Sequence, residues 1–276
     1  MNVFDFIIIF AVVAVAVLCI GRIIKKPACG GDCTRCAEQT AYNCSKQHKE
    51  QRSMNIRIGS YNIRNGLDVH HDFAVIAKDI VDMQLDICGL QEVDKNTSRN
   101  NMQDTMALLS YHTGYKYYRY TKTIDFCGGE YGTAIISKHP ITDFKTFGLS
   151  CAGYENRMLA HAVIDIGGKS IDFFNTHLSF ENSDIQLMQF GEVASRFNAC
   201  ECAVLTGDFN TDKFDRFEVF DGTSLNNPKN VLLSFEHRAA IDNIVVSRSG
   251  VIKGGGMPSE MPDHSDHRMI YADIEF

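Results

Sequence analysis

The sequence has little proline, no excess of basic residues and a single long apolar run. Only 5 of the 276 residues are Pro and the 21 Gly are scattered, which excludes a collagen-like chain. The content of 45% hydrophobic and 22% charged residues excludes a mostly disordered protein. With 34 acidic and 27 basic side chains the net charge is -7, so strong affinity for duplex DNA through a basic face is not expected. A single apolar run also excludes a polytopic membrane protein.

The charge is distributed unevenly along the chain. Residues 1–52 carry seven basic and four acidic side chains and sum to +3, whereas residues 53–276 sum to -10. A body this acidic repels polyanions unless divalent metal ions neutralise its binding site. The charge pattern therefore favours small anionic ligands held through a metal over large nucleic acids.

The apolar run lies near the amino terminus, from Phe6 to Gly21. Extended to residues 3–24, it is long enough to cross a bilayer as one tilted helix, since about 20 residues span the apolar layer. A cleaved signal peptide is the alternative, but such peptides begin with a positive segment and here the run follows Asp5. We predict an uncleaved transmembrane anchor over residues 1–26 that attaches the protein to the cell membrane in a single pass.

Three basic residues indicate how this anchor is oriented. Arg22, Lys25 and Lys26 follow the span, and no Lys or Arg precedes it. Basic residues flanking a span remain on the cytoplasmic side, so we expect the bulk of the chain to lie in the cytoplasm.

A polar segment rich in cysteine follows over residues 27–53. Thiols at this density can bind a soft metal ion, but a solvated tether explains the segment equally well. The clustered thiols are Cys29, Cys33, Cys36 and Cys44. Five further cysteines are scattered among apolar segments and are predicted to be buried free thiols, as a reducing compartment allows. These are Cys88, Cys127, Cys151, Cys200 and Cys202.

From residue 54 onward, short apolar runs alternate with segments of helical periodicity. The predicted strands cover residues 56–61, 86–91, 133–137, 160–166, 170–176, 203–206, 243–246 and 269–274. The predicted helices cover residues 73–83, 104–111 and 184–197. Many strands with few long helices predict a mixed α/β domain over residues 54–276, with two packed sheets and helices outside them.

Nearly every predicted strand is flanked by an acid, an amide or an imidazole. These residues are Asn62, Glu92, His177, Asp208, Asn210, Asp242, Asp266 and His267. If the strand ends meet at one edge, a buried cluster with four carboxylates needs a cation and imidazole partners. Hard oxygen ligands favour Mg²⁺ or Mn²⁺, which commonly serve phosphate substrates. The pattern therefore predicts metal-assisted hydrolysis of a phosphate ester.

Seven motifs in this region resemble the endonuclease/exonuclease/phosphatase superfamily, the DNase I-like hydrolases. In order along the chain they are SYNIRNG, LQEVD, EYGTAIISKHP, NTHL, TGDFN, IDNIVVS and SDH. They extend over about residues 55–276. The resemblance implies a four-layer α/β/β/α sandwich and a divalent-metal-dependent hydrolase, placed here behind one transmembrane helix.

The resemblance also implies roles for individual residues. Glu92 is similar to the principal metal ligand of the family, with Asn62 and Asp266 beside it. Asn62 would also contact the substrate. Asp208 and Asn210 are similar to the pair that orients the attacking water and binds the phosphoryl oxygens.

A second group would act on the phosphate itself. By the same resemblance, Asp242 would hold His267 in one tautomer, and His177 would face the leaving oxygen or a phosphate oxygen. Arg157 matches an arginine that the family often places near the phosphate. Tyr131 falls in a loop that supports a catalytic histidine in the nucleases of the family and is the remaining substrate-binding candidate.

Other residues of the same chemical types are not assigned a role in the site. Arg64 stands where the repair nucleases carry a carboxylate, so a second metal ligand is not expected there. His264 is interpreted as a loop residue, and His70 and His71 as a solvated turn. Residues 115–122 interleave aromatic and basic groups that single-stranded nucleic acid could use, but they also fit an ordinary strand, which we favour.

Three functions are compatible with these patterns. The leading one is a membrane-tethered phosphoesterase that depends on Mg²⁺ or Mn²⁺ and acts on a small or lipid-linked phosphate ester. A nuclease is the alternative within the same fold. A non-catalytic scaffold with a metal-binding cysteine tract is the alternative from another class.

Overall fold

The computed structural model describes residues 53–260 and 262–276, which form two six-stranded β-sheets with three α-helices outside them. The predicted anchor over residues 1–26, including the membrane segment 3–24, lies outside the described residues. So do the predicted linker up to residue 52 and its four clustered cysteines. Within the described ranges, no helix is long and apolar enough to cross a membrane. The anchor, its orientation and the metal-binding tract therefore stay predictions.

Sheet A contains β1 (Asn55–Asn62), β2 (Ile87–Lys95), β3 (Tyr117–Phe126), β4 (Gly129–Ser137), β11 (Val251–Gly256) and β12 (Ile270–Glu275). Their order across the sheet is β11-β12-β1-β2-β4-β3. The strands β1 and β2 are parallel, and β12 runs antiparallel to β1. The carboxyl ends of β1 and β2 therefore share one edge with the amino end of β12.

Sheet B contains β5 (Ile141–Leu149), β6 (Arg157–Ile166), β7 (Lys169–His177), β8 (Ala203–Asp208), β9 (Gly222–Ser224) and β10 (Asp242–Ser247). Their order is β5-β6-β7-β8-β10-β9. The strands β7 and β8 are parallel, whereas β6 and β10 run antiparallel to them. The carboxyl ends of β7 and β8 therefore meet the amino ends of β6 and β10.

The three α-helices each begin at a side chain that caps free backbone amides. They are α1 (Phe73–Asp82), α2 (Thr105–Thr113) and α3 (Ser183–Phe197). The side chains of Asp72, Asp104 and Asn182 accept hydrogen bonds from the first turns of these helices. Three short 3₁₀ helices cover Arg64–Val69, Ser98–Asn100 and Phe214–Val219.

Three apolar clusters divide the described domain into layers. The first lies between the sheets and includes Ile58 and Phe173. A second joins α1 and α2 to the outer face of sheet A, and a third joins α3 to the outer face of sheet B. Burial of these faces is the main stabilising contribution, at about 25 cal/mol for each Å² of apolar surface removed from water. The observed layers agree with the predicted mixed two-sheet α/β architecture.

A buried polar bridge also links the two sheets below their shared edge. The Asn175 side chain on β7 donates to the carbonyl oxygens of Leu90 and Ala134 in sheet A, at 2.9 Å each. Its amide oxygen accepts hydrogen bonds from Gln91 at 2.7 Å and from Thr206 at 3.0 Å. Hydrogen bonds of this kind are stronger inside a protein than in water, so the bridge fixes the sheets relative to one another.

The sequence predicted eight of the strands and all three α-helices found in the described residues. Residues 115–122 mostly belong to β3, as favoured, and this strand lies at the outer side of sheet A. The remaining three strands, β5, β9 and β11, were not predicted. They are edge strands with at most a few buried residues, so they lack the strong apolar pattern by which strands are recognised.

The cysteine prediction was right about bonding and partly wrong about burial. All five cysteines in the described part of the chain are free thiols. Only Cys88 among them is buried, because it faces α1 and α2 from the central strand β2. Cys127 is exposed at the β3–β4 turn, and Cys151, Cys200 and Cys202 are half-buried in connecting segments or at a strand start.

The polar bridge explains why residue 89 is a glycine, and this gives a stability prediction. A Cβ atom at Gly89 would lie 2.1 Å from the Thr206 hydroxyl and 2.6 Å from the Asn175 amide oxygen. We expect Gly89→Ala to lower the free energy of unfolding by about 1–3 kcal/mol, the usual cost of overpacking a core. The control is Gly148→Ala, because a Cβ atom there would have its nearest neighbour 3.9 Å away, at Met158. Urea denaturation of both variants tests this, and equal midpoints would contradict it.

Candidate active site

The predicted site residues converge where the two sheets share an edge. Asn62 ends β1 and Glu92 lies in β2, whereas Asp266 and His267 immediately precede β12. From sheet B, Arg157 begins β6, and three further positions sit at strand ends. These are His177 at the end of β7, Asp208 at the end of β8 and Asp242 at the start of β10. Parallel pairing of β1 with β2 and of β7 with β8 thus brings distant sequence motifs together.

Glu92 reaches the cluster because its strand is irregular. The pairing of β2 with β4 shifts register between Leu90 and Val93, and Glu92 adopts a left-handed backbone with φ 56°. A bulge of this kind redirects one side chain out of the regular alternation of a strand. The Asn62 amide nitrogen then donates to Glu92 Oε1 and to Asp208 Oδ2, each at 3.0 Å. One amide therefore holds a carboxylate from each sheet.

Asp208 is an almost fully buried acid that contacts several other members of the cluster. Its Oδ1 accepts the backbone N–H of Asn210 at 2.9 Å. The side chain of Asn210 donates to the carbonyl oxygen of Leu178 at 2.9 Å, and the Asn210 backbone is left-handed with φ 52°. Asp208 Oδ2 lies 3.5 Å from His177 Nε2 and 3.6 Å from His267 Nε2. Both imidazoles therefore face the same carboxylate oxygen.

His267 forms a buried pair with Asp242. Its Nδ1 lies 2.8 Å from Asp242 Oδ2, which also accepts the Ser234 hydroxyl at 2.6 Å. The Phe235 ring packs on the imidazole at 4.8 Å. The other oxygen, Asp242 Oδ1, is buried and has no hydrogen-bond partner among the described residues. The pair fixes the His267 ring with its Nε2 directed at the cluster.

Arg157 is a cation buried beside His177. Its side chain is 3% exposed, and its Nη2 lies 3.3 Å from Glu155 Oε1. Its Nε has no acceptor in the part of the chain that the structure describes. Burying a guanidinium is unfavourable unless its hydrogens are used, so this nitrogen is suited to an anionic ligand.

The cluster gives its two imidazoles different charges at neutral pH. Burial, with repulsion from Arg157 and His267, lowers the pKa of His177 well below its usual value. Burial alone would also lower the pKa of His267, but attraction to Asp242 and Asp208 raises it to about 10. His177 is therefore neutral and His267 is an imidazolium.

The pKa values of two carboxylates in the cluster are raised, as burial of an acid predicts. Burial raises the pKa of Asp208 to about 7, against the attraction of His267. Burial also raises the pKa of Glu92, and the neighbouring charge of Asp266 adds to this effect. Acids with raised pKa values are stabilised in their ionised form by a nearby cation.

The amino-acid sequence matches the model of the endonuclease/exonuclease/phosphatase family over residues 59–267. The chain belongs to this family. Its members hydrolyse phosphate esters, as phosphoesterases or nucleases, so the protein is a hydrolase that acts on ester bonds. No curated protein matches the chain significantly.

Solved structures share the fold of the family. An endonuclease/exonuclease/phosphatase protein from Bacteroides vulgatus is 23% identical, with a TM-score of 0.67 over 81% of this chain and 99% of that chain. A mannosyl-6-phosphatase from Bacteroides thetaiotaomicron is 20% identical, with a TM-score of 0.65 over 80% of this chain and 100% of that chain. The human Nocturnin catalytic domain with bound sulfate is 17% identical, with a TM-score of 0.65 over 80% and 94% of the two chains.

Enzymes of the family generally depend on divalent metal ions, and two parts of the cluster offer ligands for one. Asp208, Asp242 and His267 have ligand atoms within 4.8 Å of one another, but the His267 Nδ1 is already paired with Asp242. Glu92 and Asp266 offer oxygen ligands instead. Their donor set fits a hard cation, and the raised pKa of Glu92 shows that its charge is not fully compensated by protein groups.

Arg64 takes part in this region in a way that the sequence did not predict. Its Nε lies 3.2 Å from Asp266 Oδ2, and its Nη1 lies 3.1 Å from Asp68. A cation bound by Glu92 and Asp266 would compete with Arg64 for the Asp266 carboxylate. The departure from the repair-nuclease pattern therefore places a positive charge beside the candidate metal ligands.

Two other residues of the site were also missed. Ser234 binds Asp242, and Arg99 lies 5.5 Å from the Tyr131 ring while forming a paired contact with Asp94 at 2.7 and 2.8 Å. Asp94 belongs to the LQEVD motif. A search for a basic partner of this acid was therefore the way in which Arg99 could have been found from the sequence. Ser234 lies in a loop between β9 and β10, within the sequence VLLSF, and nothing in its local sequence distinguished it.

The histidines that were not assigned to the site behave as expected with one exception. His264 binds Asp79 at 2.9 Å and stays outside the cluster, and His70 is exposed in a turn. The prediction of a solvated turn is only partly right for His71, which lies in the turn but is half-buried. Its Nε2 is buried with no partner within residues 53–260 and 262–276, because the ring packs beside Phe73.

The His267–Asp242 pair predicts non-additive effects on activity. We expect His267→Ala and Asp242→Ala each to lower kcat by about two orders of magnitude or more, the scale of general acid–base catalysis. The double variant should lose little beyond either single variant, because an imidazole and its orienting carboxylate act as one unit. Steady-state kinetics of the four proteins tests this. A double-variant loss equal to the product of the single losses would show that the two residues act separately.

Proposed function

We propose that this protein is a membrane-tethered phosphoesterase that uses Mg²⁺ or Mn²⁺ to hydrolyse a small or lipid-linked phosphate ester. The observation that supports this most is the composition of the cluster. It combines a buried guanidinium with an unused donor, Arg157, and carboxylates whose charge is incompletely compensated, Glu92 and Asp208. An anion and a cation can therefore be held side by side.

In this proposal Glu92, Asn62 and Asp266 hold the cation. When bound, it would offset the negative charge of the phosphoryl group and increase its reactivity towards water. Asp208 and Asn210 orient the attacking water, and Asp208 accepts its proton. A carboxylate with a pKa of about 7 is well matched to this task near neutral pH.

The remaining groups act on the phosphoryl oxygens and the leaving group. His267 Nε2 carries a proton that it can donate, since Asp242 holds the ring as an imidazolium. The neutral His177 and the free Nε of Arg157 provide hydrogen bonds to phosphate oxygens. Tyr131, which lies in β4 rather than in the predicted loop, is beside Arg99 and would complete the substrate contacts. Donors fixed in advance around the developing charge lower the barrier most.

A small or lipid-linked substrate is favoured over a polynucleotide. The described part of the chain belongs to an acidic body, and the aromatic and basic residues 115–122 lie mainly on β3, an edge strand of sheet A. The mannosyl-6-phosphatase of the same fold makes a sugar phosphate a sensible first substrate. A nuclease remains the alternative within this family.

The proposal keeps the predicted location and the cysteine tract. Residues 3–24 would anchor the protein in the cell membrane in a single pass, with the catalytic domain in the cytoplasm. Cys29, Cys33, Cys36 and Cys44 would bind a soft metal or serve as a tether. Reporter fusions after Phe276 decide the orientation, since a cytoplasm-active reporter should be active and an export-dependent one silent.

A substrate panel tests the proposed reaction directly. Phosphomonoesters, phosphodiesters, inositol phosphates, phospholipids and oligonucleotides are compared with Mg²⁺ and with excess chelator. Metal-dependent turnover of a small or lipid phosphate supports the proposal. Preference for oligonucleotides, with an affinity that falls as salt rises, would establish the nuclease instead.

Glu92 gives the sharpest single-residue prediction. We expect Glu92→Gln to lower metal-dependent turnover by about two orders of magnitude or more, because a carboxylate that holds the charge-stabilising cation is lost. Glu218→Gln removes an exposed carboxylate from the Phe214–Val219 helix and serves as the matched control. Undiminished turnover by Glu92→Gln, or by the wild type in excess chelator, would refute this assignment.

A further inference from the structure

A second group of metal-ligating side chains lies on the outer face of sheet B, away from the candidate active site. It consists of His161 on β6, Asp172 on β7 and Cys200, which follows the carboxyl end of α3. One ligand atom from each residue lies within 4.8 Å of the other two. Asp172 precedes His177 by five positions on β7, which separates this group from the active site by about 17 Å.

The imidazole of this group is already held in place. His161 Nε2 lies 2.6 Å from Asp172 Oδ1. The ring stacks on Phe174 at 4.3 Å with an interplanar angle of 12°. The side chains of His161 and Asp172 are 17% and 29% exposed, so the group has an open side toward solvent. Two ligands are therefore oriented in advance, and water or a metal ion has access to them.

Cys200 supplies a thiol rather than a reactive thiolate. Burial raises its pKa to about 11, and the charge of Asp172 acts in the same direction. The sulfur lies 3.6 Å from the carbonyl oxygen of Arg196 in the last turn of α3. This chemistry argues against a nucleophilic cysteine, because only the thiolate attacks. A soft cation, in contrast, displaces the thiol proton when it binds.

We propose that His161, Asp172 and Cys200 form a Zn²⁺ site that links the carboxyl end of α3 to sheet B. Nitrogen, carboxylate oxygen and thiolate together make a donor set typical of zinc, whereas magnesium ligands are oxygens. Zinc bonds of about 2.0–2.3 Å place tetrahedral ligand atoms roughly 3.3–3.7 Å apart. The three atoms therefore need shifts of only about 1 Å, and water takes the fourth position from the open side.

The test uses Zn²⁺ and Co²⁺ alone, added to the full chain after removal of bound metal. All proteins carry Cys19→Ser together with Cys29→Ser, Cys33→Ser, Cys36→Ser and Cys44→Ser, so that the amino-terminal cysteines cannot contribute. Cobalt bound to a thiolate gives a near-ultraviolet charge-transfer band, which the active-site cluster cannot produce because its ligands are oxygen and nitrogen. We expect this band, together with one bound Zn²⁺ that is additional to any held by the active site.

Cys200→Ser should lose both the band and the additional Zn²⁺. Cys202→Ser is the matched control, since it removes a half-buried thiol only two residues away and should keep both. Both variants should retain hydrolytic activity. Zn²⁺ should also raise the Tm of the Cys202 variant by more than it raises that of the Cys200 variant.

Two outcomes would contradict the proposed Zn²⁺ site. One is a Co²⁺ spectrum without the charge-transfer band, which would leave His161 and Asp172 as an ordinary ion pair beside a buried thiol. The other is a band that survives Cys200→Ser. If that variant fails to fold, Asp172→Asn replaces it and should weaken Zn²⁺ binding at least tenfold, as loss of a charged ligand predicts.

Discussion

The candidate site is organised around one carboxylate oxygen, Asp208 Oδ2. The Asn62 amide lies 3.0 Å from it, and the imidazole nitrogens of His177 and His267 lie 3.5 and 3.6 Å away. These contacts come from both sheets, so the oxygen can be satisfied only when the sheets are packed in one arrangement. The side chain is almost fully buried, which makes each contact stronger than it would be in water.

The buried polar bridge at Asn175 favours the same arrangement of the two sheets. Its four hydrogen bonds connect β7 to β2, β4 and β8, and Gly89 leaves room for it between the sheets. Polar groups buried in this way are costly when unpaired, so a shifted packing of the sheets would be destabilised. The apolar core holds the sheets together, and the polar contacts select the register in which the active-site residues meet.

Much of this could be predicted from the sequence. Strand β8 begins with a buried apolar run and ends in Asp208, and strand β1 has apolar Ile56 and Ile58 at alternate positions and ends in Asn62, so the signals for both strands are local. Convergence of Asn62, Asp208 and His267 followed from their positions next to strand ends, once parallel neighbours were assumed, whereas Glu92 reaches the cluster through a bulge inside β2. The resemblance to the family then supplied their order and their roles, which the apolar pattern alone does not contain.

The remainder depends on contacts that no local pattern reveals. Ser234 is a loop residue whose importance comes entirely from Asp242, eight positions later in the chain. The edge strands β5 and β11 form because a partner strand is available, although their own residues are largely exposed or half-buried. The Nε2 atom of His71 is buried while its ring packs beside Phe73, which a hydrophilic turn did not suggest.

Two residues of the candidate site have backbone conformations that are locally unfavourable. Glu92 and Asn210 are both left-handed, with φ 56° and 52°, and a non-glycine residue in that region costs on the order of 1 kcal/mol or more. Both residues sit where a strand must turn a side chain toward the cluster. Burial also disfavours the ionised forms of Glu92 and Asp208. A bound cation would relieve that second cost, so in the proposed function the residues whose ionised forms are disfavoured by burial would be those that favour metal binding.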